Sequence, residues 1–279
     1  MLDTGALTVI SKKLAGKLNI KNEVTVKAID VNGMTQDHNL VKLKSLKINN
    51  IEINNIAAGV FDLSMFDQYG LNIDGIIGSN ALRFFRITID YEKNYIHFSN
   101  NRNVSFESKN AYQLAFEQDI TNGFAPKLPC LINDNLTLDA YIDTGFFGYA
   151  LLPYDYIKKI NISENNLVTS IGNISGGLFK DKNEKVALAR LKSIKLNSSI
   201  KPMSLSNPIV HFNKRTNPLM ANRVYLGKDF LIDFLVIIDY LNNKLILMPK
   251  NKLSEEKQQI GIFSFGLKIQ PNEGLLRNE

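Results

Sequence analysis

Apolar and polar residues alternate over short stretches along most of the chain, the period-two pattern of half-buried strands. The clearest run is Leu136–Ile142, with Leu136, Leu138, Ala140 and Ile142 at alternate positions. Residues 41–48 and 186–194 carry the same signature and resemble each other. In the first, Lys42, Lys44 and Lys47 stand among apolar residues, as on a solvated strand face. Helical periods are short. Residues 11–18 form one amphipathic turn pair with Ser11 as N-cap, and 154–160 another, with Pro153 suited to its start. Two hairpins are predicted: 87–91 returning through 95–98, and 236–240 returning through 245–247. Asn94 and Asn243-Lys244 supply their turns. The pattern predicts a mainly β protein with a few short helices.

The elements come in matched pairs. Asp3-Thr4-Gly5 and Asp143-Thr144-Gly145 are identical triplets, each after an apolar residue and each followed by a short strand and a short helix. One copy alone reads as a strand-ending turn, because Asp and Gly favour turns. The surroundings say more. Ile76-Ile77-Gly78 corresponds to Tyr225-Leu226-Gly227. From those glycines, Leu82 and Leu231, Phe85 and Phe234, Asp90-Tyr91 and Asp239-Tyr240, and Asn94 and Asn243 fall at equal offsets. A duplicated β-rich unit accounts for all of these with one event.

The two triplets and the two apolar-apolar-Gly segments resemble the retropepsin-like and pepsin-like aspartic protease clan, over most of residues 2–249. Residues 143–153 look most like its bacterial, fused two-lobe branch. The resemblance implies an all-β fold of two similar lobes with short helices and a cleft between them. It implies an aspartic endopeptidase with Asp3 and Asp143 as the catalytic pair. Thr4, Gly5, Thr144 and Gly145 would support the two loops, and Gly78 and Gly227 would pack against them. Retroviral relatives are homodimers of one lobe. Here one chain carries both, so a monomer suffices.

The chemistry of such a pair is general. Two carboxylates a few ångströms apart do not both ionise cheaply, so one keeps a proton. The ionised member acts as general base on a water, and the protonated member polarises the scissile carbonyl. No cofactor, metal or covalent intermediate is needed. The residues after the triplets, Ala6 and Phe146, lack the hydroxyl that lowers a carboxyl pKa in some relatives. A mildly acidic optimum is therefore expected. The alternative is a catalytically inactive relative that binds peptides in the same cleft.

The predicted organisation is a first lobe over 1–100, a linker over 101–115, a second lobe over 116–250, and a tail over 251–279. The second triplet has a full lead-in: a strand over 127–132, a turn at Asn133-Asp134-Asn135 and the strand to Ile142. The first has only Met1 and Leu2. Two readings compete: a fragment of a longer protein, which is preferred, or a degenerate lobe. The segment 260–269 reads as a final strand or as the start of a further domain, of the PDZ-like kind some bacterial relatives carry. Candidate flaps over the cleft are the Asn32-Gly33 turn and the Gly176-Gly177 segment.

Composition narrows the rest. The chain has 279 residues, 44% of them hydrophobic, and no stretch of the ~20 apolar residues that a membrane-spanning helix needs. No signal peptide is read at Met1. The single cysteine, Cys130, permits no internal disulfide and reads as buried packing. A net charge of +6 raises a nucleic-acid reading, but the lysines are scattered among acids, so no nucleic-acid partner is expected. The expected partner is a peptide or protein substrate. His38, His97 and His211 are isolated, lack zinc-ligand spacing and are expected at the surface.

Overall fold

The computed structural model describes residues 1–21, 24–29, 35–48, 50–103, 108–163, 166–171, 185–213 and 221–250. The chain runs through β1 (Leu2–Asp3), β2 (Val9–Ser11), β3 (Val24–Ile29), β4 (Thr35–Ile48), β5 (Ile51–Phe61), β6 (Gly75–Gly78), β7 (Arg86–Asp90) and β8 (Tyr95–Ser99). It continues through β9 (Tyr112–Ala115), β10 (Glu117–Asp119), β11 (Ala125–Ile132), β12 (Leu136–Ile142), β13 (Ala150–Pro153), β14 (Val168–Ile171) and β15 (Lys185–Arg190). Then come β16 (Ser193–Leu196), β17 (Met203–Ser206), β18 (Ile209–Asn213), β19 (Arg223–Leu226), β20 (Phe234–Asp239) and β21 (Lys244–Pro249). Among the described residues the short α-helices are α1 (Lys12–Lys17), α2 (Ser79–Leu82), α3 (Tyr156–Lys159) and α4 (Lys228–Leu231).

Two curled sheets carry the repeat. The first has the order β1-β6-β2-β5-β4-β3. The second contains the matching path β12-β19-β13-β18-β15-β14, extended by β11, β16 and β17, with β10 paired to β11. In each, the strand entering the triplet lies parallel to the strand of the apolar-apolar-Gly segment: Asp3 opposite Gly78, and Ile142 opposite Leu226. The following strand then returns antiparallel, with Val9 opposite Ile76 and Ala150 opposite Leu226. The triplet loops are thereby pinned between two hydrogen-bonded neighbours.

A third sheet, β8-β7-β20-β21-β9, joins the halves. Its centre is the antiparallel pair β7 and β20, in which Thr88 faces Ile237. These two residues are equivalent in the repeat, so the pseudo-twofold passes between them. The shared core includes Phe85, Ile87, Leu114, Leu128, Val236, Ile238 and Leu245. At roughly 1.5–3 kcal/mol per fully buried large side chain, this core holds the two halves in fixed relation. At the edge of the same pair, Arg86 lies opposite Asp239, and its Nε donates to Asp239 Oδ2 at 2.9 Å.

Most sequence expectations about elements hold. Ser11 caps α1, its Oγ accepting from Leu14 N at 3.0 Å. Asn94 and Asn243 take positive φ at their hairpin turns, as do Asn133 and Asp134 between β11 and β12. Lys42, Lys44 and Lys47 are exposed while Val41 and Leu43 are buried. Cys130 is buried in β11, and burial pushes its thiol pKa up to about 12. Three points differ. Pro153 ends β13 rather than starting a helix, because its ring suits a strand end before the turn into α3. Residues 186–194 break into β15 and β16 at Leu191, where the chain changes neighbours from β18 to β11 and β17. Of the histidines only His97 is exposed. His38 stacks on Phe61 at 3.9 Å and His211 packs edge-on against Phe146 at 5.6 Å, both half-buried. The tail 251–279 lies outside the described residues.

Candidate active site

The two triplets meet back to back. Thr4 N–H donates to Thr144 Oγ1 at 3.0 Å, and Thr144 N–H donates to Thr4 Oγ1 at 3.1 Å. Each hydroxyl then donates to the strand entering the opposite triplet: Thr4 Oγ1 to Ile142 O at 2.6 Å, and Thr144 Oγ1 to Leu2 O at 3.3 Å. Four reciprocal bonds, each worth roughly 1 kcal/mol net, lock the loops in register.

This lock brings Asp3 and Asp143 together. Their carboxyls are hydrogen-bonded to each other. The approach requires glycine on both sides. A Cβ on Gly5 would meet Asp143 Cγ at 2.5 Å, and one on Gly145 would overlap the Asp3 carboxyl. Each aspartate thus sits over the other triplet's glycine. Backbone amides cradle both groups. Gly5 N–H donates to Asp3 Oδ1 at 2.8 Å, with Ala6 N–H adding a second bond. Gly145 and Phe146 N–H donate to Asp143 Oδ1 at 2.9 and 3.1 Å. Both residues are half-buried overall.

Burial raises both carboxyl pKa values above the ordinary range, against the lowering effect of the amides. Asp143 is raised further by the charge of Asp3, and it lies well above the usual carboxylate value. The pair therefore holds one shared proton over a window shifted upward from ordinary carboxyls. A shared proton between an acceptor and a donor is the equipment for general base and general acid work at one point.

The remaining predicted support residues fall where the repeat puts them. Gly78 faces the first triplet loop, and a Cβ there would overlap Ala6 O and Thr8 N. Gly227 faces the second, where a Cβ would meet Phe146 O at 2.5 Å. These obstacles are backbone and cannot swing away. Gly78→Ala should therefore cost about 2–3 kcal/mol, read as a lowered urea midpoint with an unchanged m-value. The flap candidates Asn32, Gly33, Gly176 and Gly177 lie outside the described residues. The strands flanking them, β3 with β4 and β14 with β15, pair antiparallel as hairpin arms.

Several site residues escape sequence reasoning. Asn80 Oδ1 accepts from both the N–H and the hydroxyl of Thr8 at 2.8 Å, and Thr8 Oγ1 accepts from Gly78 N–H at 3.1 Å. Ser79 Oγ donates to Thr4 O at 2.6 Å and is bonded to Tyr240 OH at 2.7 Å. Beside Asp143, Tyr141 and Tyr225 stack at 5.3 Å, and Tyr141 OH donates to Asp119 Oδ2 at 2.5 Å. Arg223 lies 3.7 Å from the same Asp119. The Asp-Tyr pairs mark the repeat in the sequence, but which loop each Tyr reaches follows only from the sheet between the halves. Among the described residues, no three His, Cys, Asp or Glu side chains are grouped to hold a metal ion, and no helix is long and apolar enough to cross a membrane.

Comparison with known proteins agrees with the motif. Residues 1–81, the part carrying the first triplet and Gly78, match the sequence model of the aspartyl protease family. A crystal structure of a retropepsin-like aspartic protease from Rickettsia conorii aligns with 49% of this chain and 90% of its own, at 17% identity and a TM-score of 0.36. No curated protein sequence matches the chain.

Proposed function

We propose that the chain is an aspartic endopeptidase of two lobes, 1–100 and 116–250, in which Asp3 and Asp143 activate a water to hydrolyse a peptide bond. One observation carries this reading: two aspartates from equivalent loops share a hydrogen bond, each seated over the other triplet's glycine. The family match of residues 1–81 supports it.

In this mechanism the ionised carboxylate takes a proton from water as its oxygen attacks the scissile carbonyl. The protonated carboxyl donates to the carbonyl oxygen. The tetrahedral intermediate then collapses: the carboxyl that took the water proton gives it to the departing amine, and the hydroxyl on the former carbonyl oxygen returns its proton to the other carboxylate, so the dyad again holds one proton. Because both lobes sit on one chain, a monomer is competent. The substrate is a peptide or an unfolded protein segment.

The pH dependence follows from the dyad. Activity needs one proton on the pair, so it falls when both members are protonated and again when both ionise. Burial raises both members, and neither Ala6 nor Phe146 offers a side-chain hydroxyl to oppose this. A bell-shaped profile with a mildly acidic maximum is expected. The test is mass-spectrometric detection of cleavage in a diverse peptide mixture from pH 3 to 7. A rate still climbing at the acid end contradicts the pH assignment. Peptides retained but never cut would identify a catalytically silent peptide binder.

A further inference from the structure

The two aspartates have matching backbone cradles, yet the side chains behind them differ. Behind Asp3 stands a buried file of hydroxyls. Ser79 Oγ–H donates to Thr4 O at 2.6 Å, and a carbonyl oxygen can only accept. Serine has one hydroxyl proton. In its 2.7 Å bond with Tyr240 OH, Ser79 must therefore be the acceptor and Tyr240 the donor. The direction of the file is fixed: Tyr240 O–H to Ser79 O–H to Thr4 C=O.

The file does not stop at the carbonyl. Thr4 C=O and Gly5 N–H belong to one peptide unit, and Gly5 N–H donates to Asp3 Oδ1 at 2.8 Å. Drawing electrons toward the Thr4 oxygen makes the Gly5 N–H a stronger donor. Thr4 and Ser79 are fully buried and Tyr240 is 2% exposed, so little water screens the effect.

The second half lacks the same file. The backbone is mirrored: Ser79 N–H donates to Ala6 O at 2.9 Å, and Lys228 N–H donates to Phe146 O at 2.7 Å. At the place of Ser79 stands Lys228, whose ammonium lies over the Phe147 ring at 5.7 Å. Tyr91, the equivalent of Tyr240, keeps its phenol near Asp143, where burial pushes its pKa up to about 12. Around the pair, Asp3 also faces the Met1 α-amino group, Tyr240 and Asp143, while Asp143 faces Tyr91, Tyr225 and Asp3.

We propose that Tyr240 and Ser79 are positioning residues that order the shared proton, holding the negative charge on Asp3 and the proton on Asp143. The consequence for catalysis rests on the peptidase reading; the proton order itself does not. Asp3 then serves as the base toward water, and Asp143 as the donor toward the substrate carbonyl.

The test is site-resolved carbon-13 NMR of the aspartate carboxyls across pH, on the full chain, assigned with Asp3→Asn and Asp143→Asn. In the unaltered protein, Asp3 is expected to ionise first. Tyr240→Phe and Ser79→Ala each remove only a hydroxyl. Each should raise the Asp3 ionisation point by about 0.2–0.5 pH unit. Adding Tyr240→Phe to Ser79→Ala should change nothing further, because the file is already cut. A generic loss of packing would instead add in the double variant. First ionisation of Asp143, or an Asp3 titration unmoved in both single variants, overturns the proposal. The acid limb of peptide cleavage should move with the NMR value while KM stays within about twofold. An NMR shift as expected in a protein that cleaves nothing would leave the relay standing and remove the peptidase reading.

Discussion

Asp143→Asn should reduce peptide hydrolysis by about 10³- to 10⁴-fold, the scale of a lost general acid–base partner. The amide keeps the shape of the side chain and still accepts from Gly145 and Phe146 N–H, whose bonds to Asp143 Oδ1 are 2.9 and 3.1 Å. It cannot lose or return the shared proton. Binding should survive, so the loss should fall on kcat rather than KM. An equal loss in Asp3→Asn is expected, since each half supplies one carboxyl. Activity retained in either variant would remove the dyad from the mechanism.

The same substitution has a stability signature of the opposite sign. Burial raises the Asp143 carboxyl well above its unfolded value, so the folded state binds its proton more tightly. Stability from this group is fully present below the unfolded pKa and is lost as pH rises toward the folded value. Asparagine carries no such pH-dependent loss. Thermal melts should therefore show the variant at least as stable as the parent at neutral pH, with the difference shrinking toward pH 4. A variant that melts lower at pH 7 would mean that the carboxyl contributes contacts outweighing its burial.

Asp239→Ala should cost about 3–5 kcal/mol, because it removes the carboxylate that the buried Arg86 guanidinium binds. The side chains are 9% and 1% exposed, and Asp239 Oδ2 accepts Arg86 Nε at 2.9 Å and Asn242 Nδ2 at 2.9 Å. The pair also fixes the β7–β20 register, in which Arg86 faces Asp239. Replacing both, as Arg86→Met with Asp239→Leu, should recover most of the loss, since apolar partners avoid the desolvation of two ions. Urea unfolding of the singles and the double decides this. A single-variant cost under about 1 kcal/mol would show the pair to be as weak as an exposed one.

The repeat was legible because its two copies keep spacing that packing enforces. The triplets, the paired glycines and the Asp-Tyr hairpins stand at equal offsets, and the structure places them in equivalent strands. The capping of α1 by Ser11 and the positive-φ asparagines were legible for a local reason: a side chain bonding three residues on, or a turn that tolerates αL, needs no distant partner. Local order does not separate a helix start from a strand end at Pro153, because the residue suits both, and pairing with Asn213 of β18 decides between them. The half-buried state of His38 and His211 was missed because their cover comes from Phe61 and Phe146, brought there by strand pairing.

The sequence by itself determined that two like units are fused and that each brings one Asp-Thr-Gly loop, since alternation, turn residues and repeat offsets are written in local order. It also determined which glycines leave room, because no side chain stands at those places. Only the tertiary structure decided that each aspartate seats on the other unit's glycine, that Thr4 and Thr144 exchange hydrogen bonds, and that Tyr240 of the second unit reaches the loop of the first. Those contacts cross long stretches of chain and depend on the sheet between the halves, whose register sets which hydroxyl reaches which carbonyl. A symmetric sequence is thereby folded into a pair of carboxyls with unequal surroundings, and that inequality comes from single side chains, Ser79 against Lys228, meeting partners that linear order does not reveal.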